Sequence, residues 1–188
     1  MGYTFNEDGH VGGNIRHGDP ACHAPQTWRW LIDRFAVLSM LDLGSGEGHA
    51  ARFFWKHGVQ AIAVDGSMSN ICNAVYPTFY CDLTETAFQT NVDLVWCQEV
   101  VEHVQETHIQ NLMHALTSGP IVVMTHAEPG QKGYHHVNCQ PSTYWIAKMA
   151  ECGYAHLELD TERVRMLGSA DSAHHLARSG LVFGRQDR

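Results

Sequence analysis

The stretch Gln98-Glu99-Val100-Val101-Glu102-His103-Val104 stands directly behind the apolar run at residues 92–97. Two carboxylates and an imidazole this close together can hold a cation, exchange a proton, or simply favour a helix start. If a helix opens at Glu99, then Glu99, Glu102 and His103 fall at i, i+3 and i+4 and share one face. That face would be a partial ligand set for a divalent metal, one or two donors short. The later run Gly133-Tyr134-His135-His136-Val137-Asn138 offers imidazoles to complete it, through His136 or His135. The same histidines qualify as general bases, because an imidazole titrating near pH 6.5 can take a proton from an acceptor. Three readings stand side by side: metal ligation, a helix start with hydrogen-bonding carboxylates, and metal-free proton transfer.

These residues need a scaffold, and the chain alternates between strand-like and helix-like segments. The segment PQTWRWLIDRF from Pro25 has helical spacing. Residues 36–43 read as a strand, GSGEG as a turn, and a helix is expected from His49 to Gly58. VQAIAVDG, PTFYCD, residues 92–97 and PIVVMTH give four more strands, with helices in SMSNICNAVY and HIQNLMHALTSG. PSTYWIAKMAECGY is a helix between Pro and Gly punctuation, and HLELD and GLVFGR are read as two final strands around a polar, helix-compatible segment. The expectation is an α/β, Rossmann-like, seven-stranded and mostly parallel sheet with helices on both faces. It forms a single domain over 1–188, with an N-terminal arm and helix at 1–35 and a catalytic core at 36–188. In such sheets ligands bind beyond the carboxyl ends of the strands, which is where QEVVEHV falls.

Composition narrows the field. The 188 residues are 44% apolar and 17% charged, with a net charge of −8, as in a soluble globular protein. Twelve scattered basic residues make a nucleic-acid partner unlikely, and no run is apolar for the ~20 residues of a membrane span. The N-terminus carries no signal-peptide pattern, and six cysteines without CxxC spacing suit reduced thiols in the cytoplasm. Fourteen histidines are many for this length, and six lie between 103 and 136. His126, after the fifth strand, is a further base candidate. His49 is expected to cap its helix, and His108, His114, His156, His174 and His175 to be spectators.

LDLGSGEGHAARFF reads as strand, tight glycine turn and helix, with Gly44, Gly46 and Gly48 allowing close approach of a ligand. The spacing is GxGxG, not the GxGxxG that seats a pyrophosphate, so a nicotinamide oxidoreductase is disfavoured. Asp42 and Glu47 would repel a pyrophosphate and suit a ligand with cationic sulfonium and ammonium groups. With these residues in view, the chain resembles a class I S-adenosylmethionine-dependent methyltransferase over nearly its whole length. LDLGSGEGHA, AVDGS, CDLTE and VDLVWCQEVVEHV resemble the motifs of that family in order. The resemblance implies that Asp42, Gly44, Ser45, Gly46 and Gly48 wrap the methionine part of the cofactor. It places Asp65 and Gly66 at the ribose, Asp82 and Leu83 at the adenine, and Gln98 near the reacting methyl.

The segments Gly12-Gly13-Asn14, Gly18-Asp19-Pro20 and THAEPGQKGYHHVNCQPSTYW are similar to small bacterial and phage methyltransferases. The E-x-x-E-H pattern is similar to two metal-assisted branches, the 2′-O-methyltransferases of small-RNA 3′ ends and the O-methyltransferases of ubiquinone synthesis. That similarity implies Glu99, Glu102, His103 and His136 as ligands of a divalent metal, Mg or Mn. His135, His136, Glu102 and His103 are the expected catalytic residues. The implied reaction is O-methylation of a small-molecule or sugar hydroxyl, with homodimerisation a further expectation. RNA 2′-O-methylation and an inactive S-adenosylmethionine-binding module are the alternatives.

Overall fold

Seven strands form one sheet in the order β3-β2-β1-β4-β5-β7-β6. The computed structural model describes residues 9–13 and 15–186, so Asn14 and residues 1–8 of the expected arm lie outside the described residues. The strands are β1 Ser39–Leu43, β2 Gln60–Asp65, β3 Thr78–Tyr80, β4 Leu94–Cys97, β5 Ile121–Met124, β6 Tyr154–His156 and β7 Leu181–Arg185. Pairing is parallel from β3 through β5, and β7 runs antiparallel between β5 and β6. The helices are α1 Pro25–Phe35, α2 His49–Lys56, α3 Met68–Cys72, α4 Ile109–Leu116, α5 Ser142–Glu151, α6 Glu158–Ala170 and α7 His174–Ser179. None of these is long and apolar enough to cross a membrane.

Successive strand residues point to opposite faces, and the sheet divides its apolar side chains accordingly. Leu41, Val95, Cys97, Val122, Met124 and Phe183 join α4 and α5 in one core, through Leu112, Leu116, Trp145 and Met149. Met40, Leu94, Trp96, Val123 and Val182 join α1, α2, α6 and α7 in the other, through Trp28, Leu31, Phe54, Val164 and Leu176. Both faces are therefore covered, and the polar ends of the strands remain for chemistry.

Two local expectations fail. HLELD is not a strand: β6 is Tyr154–His156 and the remainder opens α6. The acidic Glu158 and Asp160 sit in the first helical turn, where the helix dipole favours them, and Asp160 is held by Arg34 of α1. Residues 98–100 are not helical either. Glu99 takes a left-handed φ of 57°, and only a single 3-10 turn, Val101–His103, follows.

Gly44 ties the first loop to that exit. Its φ is +68°, and a Cβ there would lie 2.3 Å from Val100 Cγ2. Gly58 has a φ of +85° with nothing within 4 Å of the Cβ position. Replacing Gly58 with Ala should therefore cost only the left-handed strain, about 1 kcal/mol or about 3 °C in melting temperature. Gly44→Ala adds overpacking and should lower it by about 8 °C or more. Equal shifts in thermal unfolding would show that Val100 does not constrain the loop.

Candidate active site

The turn after β1 is shaped by two buried carboxylates. Asp42 accepts from Ala51 N at 2.9 Å in the first turn of α2, and Asp65 accepts from Gly46 N and Ser67 N, both at 2.8 Å, and from Asn70 Nδ2. Burial raises both carboxyls; Asp42 reaches about 7, with the charge of Asp65 adding to the effect. Gly44 and Ser45 both donate to Val64 O, which closes the turn onto β2.

These residues line a cavity of about 740 Å³ at the carboxyl ends of β1, β2 and β4, a size that suits a nucleoside-sized ligand. Of the residues expected to bind the cofactor, Asp42, Gly44, Ser45, Gly46, Asp65, Gly66, Asp82, Leu83 and Gln98 line it. Gly48, with a φ of 77°, is instead the N-cap of α2 and packs toward Tyr76 and Thr78. His49 therefore begins the helix rather than capping it, and sits 3.6 Å from Glu47. Ser45 Oγ and Gln98 Nε2 are buried on the cavity wall without hydrogen-bond partners. Buried polar atoms of this kind call for a ligand that supplies the missing bonds.

Residues 10–13 and 15–23 form a strap that crosses the cavity. His10 Nε2 bonds Asp82 Oδ2 at 2.6 Å, and His17 N donates to Glu47. Cβ atoms at Gly12 and Gly66 would fall 2.8 Å from His103 and 3.2 Å from Val11. Burial pushes Asp82 up, but the bonds from Thr84 and His10 outweigh it and leave the carboxyl below its usual value.

The QEVVEHV residues part company. Glu99 turns toward Thr125, whose hydroxyl donates to Glu99 Oε1 and accepts from Glu99 N, each at 2.8 Å. Its other oxygen meets His175 Nδ1 at 2.9 Å, and His175 Nε2 lies 3.5 Å from Asp19 on the strap. Glu102 is 0% exposed, and neither of its oxygens has a hydrogen-bond donor. Burial, then the charge of Glu99, raise its carboxyl well above the usual range. Glu102, His103 and His136 present ligand atoms within 4.8 Å of one another; Glu99 falls outside that group. The shared helical face is thus replaced by a left-handed exit: Thr125 and His175 hold Glu99, while Glu102 joins the two imidazoles, still close enough to Glu99 to feel its charge.

Both imidazoles are oriented by backbone carbonyls. His103 Nδ1 contacts His135 O at 3.1 Å and His136 Nδ1 contacts Gln131 O at 3.2 Å. A carbonyl only accepts, so each Nδ1 carries a hydrogen and Nε2 is the ring atom left to face another partner. Burial lowers His103 to about 4, which keeps it neutral. His135 acts here through its carbonyl, and its ring does not line the cavity. His126, 1% exposed, bonds Ser142 and likewise stands off the cavity.

Sequence reasoning missed His175, which it placed among the spectators. The bonds to Asp19 and Glu99 raise this imidazole to about 10. Nothing in its local spacing signals the role, since Glu99 is 76 positions away. Asp171 was missed too: it accepts from Gln26 N and Thr27 N and so caps α1 from the start of the α6–α7 corner.

Comparison with known proteins follows this geometry closely. Residues 41–124, from β1 to β5, match the family model described as a methyltransferase domain. That segment, a little under half of the chain, is similar to a methyltransferase domain. The chain as a whole has the class I methyltransferase fold, and solved structures agree. It is similar to the methyltransferase domain of bacterial CtHen1 (16% identity, 90% of this chain and 100% of that one, TM-score 0.63). It is also similar to magnesium protoporphyrin IX methyltransferase from Synechocystis PCC 6803 with bound S-adenosylmethionine (15%, 86% and 79%, 0.57). A third similar structure is the [4+2]-cyclase SpnF (12%, 95% and 88%, 0.59). At these identities the likeness is one of fold. No curated protein matches the sequence significantly.

The His175 bridge makes a prediction for the chelator-treated protein. Its proton is bound in both folded and unfolded chains below about pH 6.5, so the bridge contributes fully there; it is lost as pH rises through about 10. The gap in melting temperature between parent and His175→Gln should be widest near pH 6 and shrink steadily toward pH 10. A gap that widens with pH would contradict a charged bridge.

Proposed function

We propose that this chain moves the methyl group of S-adenosylmethionine to a hydroxyl of a small molecule or sugar. In this reading Glu102, His103 and His136 hold a divalent cation beside the acceptor. The observation that carries it is Glu102: a carboxylate with no exposure and no donor, next to two imidazoles whose Nε2 atoms are left to face another partner. Such a group needs a cation or a proton. Two imidazoles and one carboxylate favour Mn²⁺ over Mg²⁺. A cation there would lower the pKa of an acceptor hydroxyl.

The donor side fits the residues present. Gly44 and Gly46 leave room for close approach, Ser45 Oγ and Gln98 Nε2 await partners, and Asp42, Glu47, Asp65 and Asp82 give the wall a negative charge. When bound, S-adenosylmethionine supplies an electrophilic methyl on a cationic sulfonium, which that charge favours. The chain's own part is to orient the two reactants and, through the strap, to exclude water. Seven histidines and seven carboxylates line the cavity, and among the described lining residues there is no Lys or Arg. That lining supports a neutral acceptor over a nucleic acid, whose phosphates need cationic partners. Six free cysteines support a cytoplasmic setting.

The test is calorimetric titration of chelator-treated protein with S-adenosylhomocysteine, then with Mn²⁺. The parent should bind both, while Glu102→Gln should keep S-adenosylhomocysteine binding and lose about 100-fold or more in Mn²⁺ affinity. Cofactor binding without metal binding would leave Glu102 protonated and His136 Nε2 as the base. Failure to bind S-adenosylhomocysteine would sink the methyl-donor assignment.

His10 holds the oxygen of Asp82 that faces the adenine side in this reading. His10→Ala should therefore tighten S-adenosylhomocysteine binding by about fivefold, the scale of one half-exposed ion pair. Weaker binding would mean that His10 helps to hold the cofactor.

A further inference from the structure

A second group of ligand atoms meets where the strap touches α7. A carboxylate oxygen of Asp19, the Sγ of Cys22 and a ring nitrogen of His175 all lie within 4.8 Å of one another. His175 Nε2 is 3.5 Å from Asp19 Oδ2, and Cys22 Sγ is 3.7 Å from the same oxygen. Tetrahedral zinc, with bonds of about 2.0 Å to N and O and about 2.3 Å to S, sets its ligands about 3.3–3.6 Å apart. The observed separations are nearly those of a zinc site. Asp19 and Cys22 come together because Asp19 caps the 3-10 turn Pro20–Cys22, accepting from Ala21 N at 2.8 Å. That turn brings the i and i+3 side chains to one side.

An independent observation concerns the far side of the His175 ring. Glu99 Oε2 takes Nδ1 at 2.9 Å, and Glu99 is itself fixed by Thr125. An imidazole that gives Nδ1–H to a carboxylate and turns Nε2 to a second carboxylate and a thiol has the orientation of a metal-bound histidine. All three candidate ligands line the cavity, so a fourth position would face into it. Three protein ligands and one open position are the pattern of a zinc ion that also binds a ligand. The thiol selects zinc over Mg²⁺ or Mn²⁺.

We propose that Asp19, Cys22 and His175 form a zinc site, with Glu99 orienting the imidazole, and that the ion clasps the strap onto α7. The open position takes an anionic oxygen or sulfur of a ligand in the cavity. This site shares no ligand with the Glu102, His103 and His136 group, and it stands whether or not that group binds a metal.

The experiment uses the full chain, stripped with a chelator and titrated with Co²⁺ as a spectroscopic substitute, then with Zn²⁺. One equivalent of Co²⁺ should give a thiolate-to-cobalt charge-transfer band in the near ultraviolet, and Zn²⁺ should abolish it. The band should vanish in Cys22→Ser and His175→Gln and survive in Glu102→Gln. It should also survive in Cys139→Ser, the control for a second thiol, since Cys139 Sγ lies 3.8 Å from His136 Nδ1. Melting curves of the apo variants confirm folding, and Cys22→Ala provides a second variant if Cys22→Ser fails to fold. Zn²⁺ should also slow trypsin cleavage after Arg16, an exposed residue of the strap, by about tenfold. No charge-transfer band, or one that persists in both Cys22 variants, overturns the site. A Cys22-dependent band with unchanged cleavage at Arg16 overturns the clasp.

Discussion

The way the chain leaves β4 governs everything around the cavity. Glu99 stands in the left-handed region, a conformation that costs a non-glycine residue of order 1–3 kcal/mol unless its surroundings hold it there. Thr125, fully buried at the end of β5, holds it by bonding both its amide and its carboxylate. From that one bend follow the placement of Gln98 on the cavity wall, of Val100 against Gly44, and of Glu102 inside the protein. An ordinary helix start would have put Glu99 and Glu102 on one surface stripe. The bend puts one carboxylate in reach of α7 and leaves the other without a donor beside two imidazoles.

Much of the scaffold was legible because its signals are local. The glycine loop, the carboxylates ending β2 and β3, and the alternation of apolar strands with amphipathic helices all lie within short windows, where periodicity reports on burial. Nine of the ten residues expected at the cofactor line the cavity, since they sit at or near strand ends that the pattern itself marks. Failures came where long-range contacts overrule local preference. HLELD alternates like a strand, yet β6 needs only three residues to pair with β7, and the acids serve the start of α6. His175 sits in a short polar helix and acquires its role from Asp19 and Glu99, which only the tertiary fold brings near. The helical spacing of Glu99, Glu102 and His103 is real in the sequence, and no single-residue pattern reveals that Thr125 will bend the backbone between them.

The cavity's charge deserves to be seen as a whole. Carboxylates are spread around it, and imidazoles take the place of permanent cations: His10 on Asp82, His49 near Glu47, His175 between Asp19 and Glu99. Imidazoles differ from Lys and Arg in that their environment decides their charge. Burial keeps His103 neutral while two carboxylates keep His175 protonated, within one cavity. In the metal-free chain one residue type thus supplies a cation on one side and a neutral ring on the other.

The position of β7 has a consequence for how the molecule is made. It is the last strand in sequence but lies inside the sheet, and β6 pairs through it. During synthesis the β5 edge stays open, and β6 has no partner, until Arg185 has left the ribosome. His175 lies only six residues before β7, so the contact that fastens the strap joins residue 19 to a segment more than 150 positions later. A chain released before Arg185 would carry the whole glycine loop and still lack the enclosed cavity.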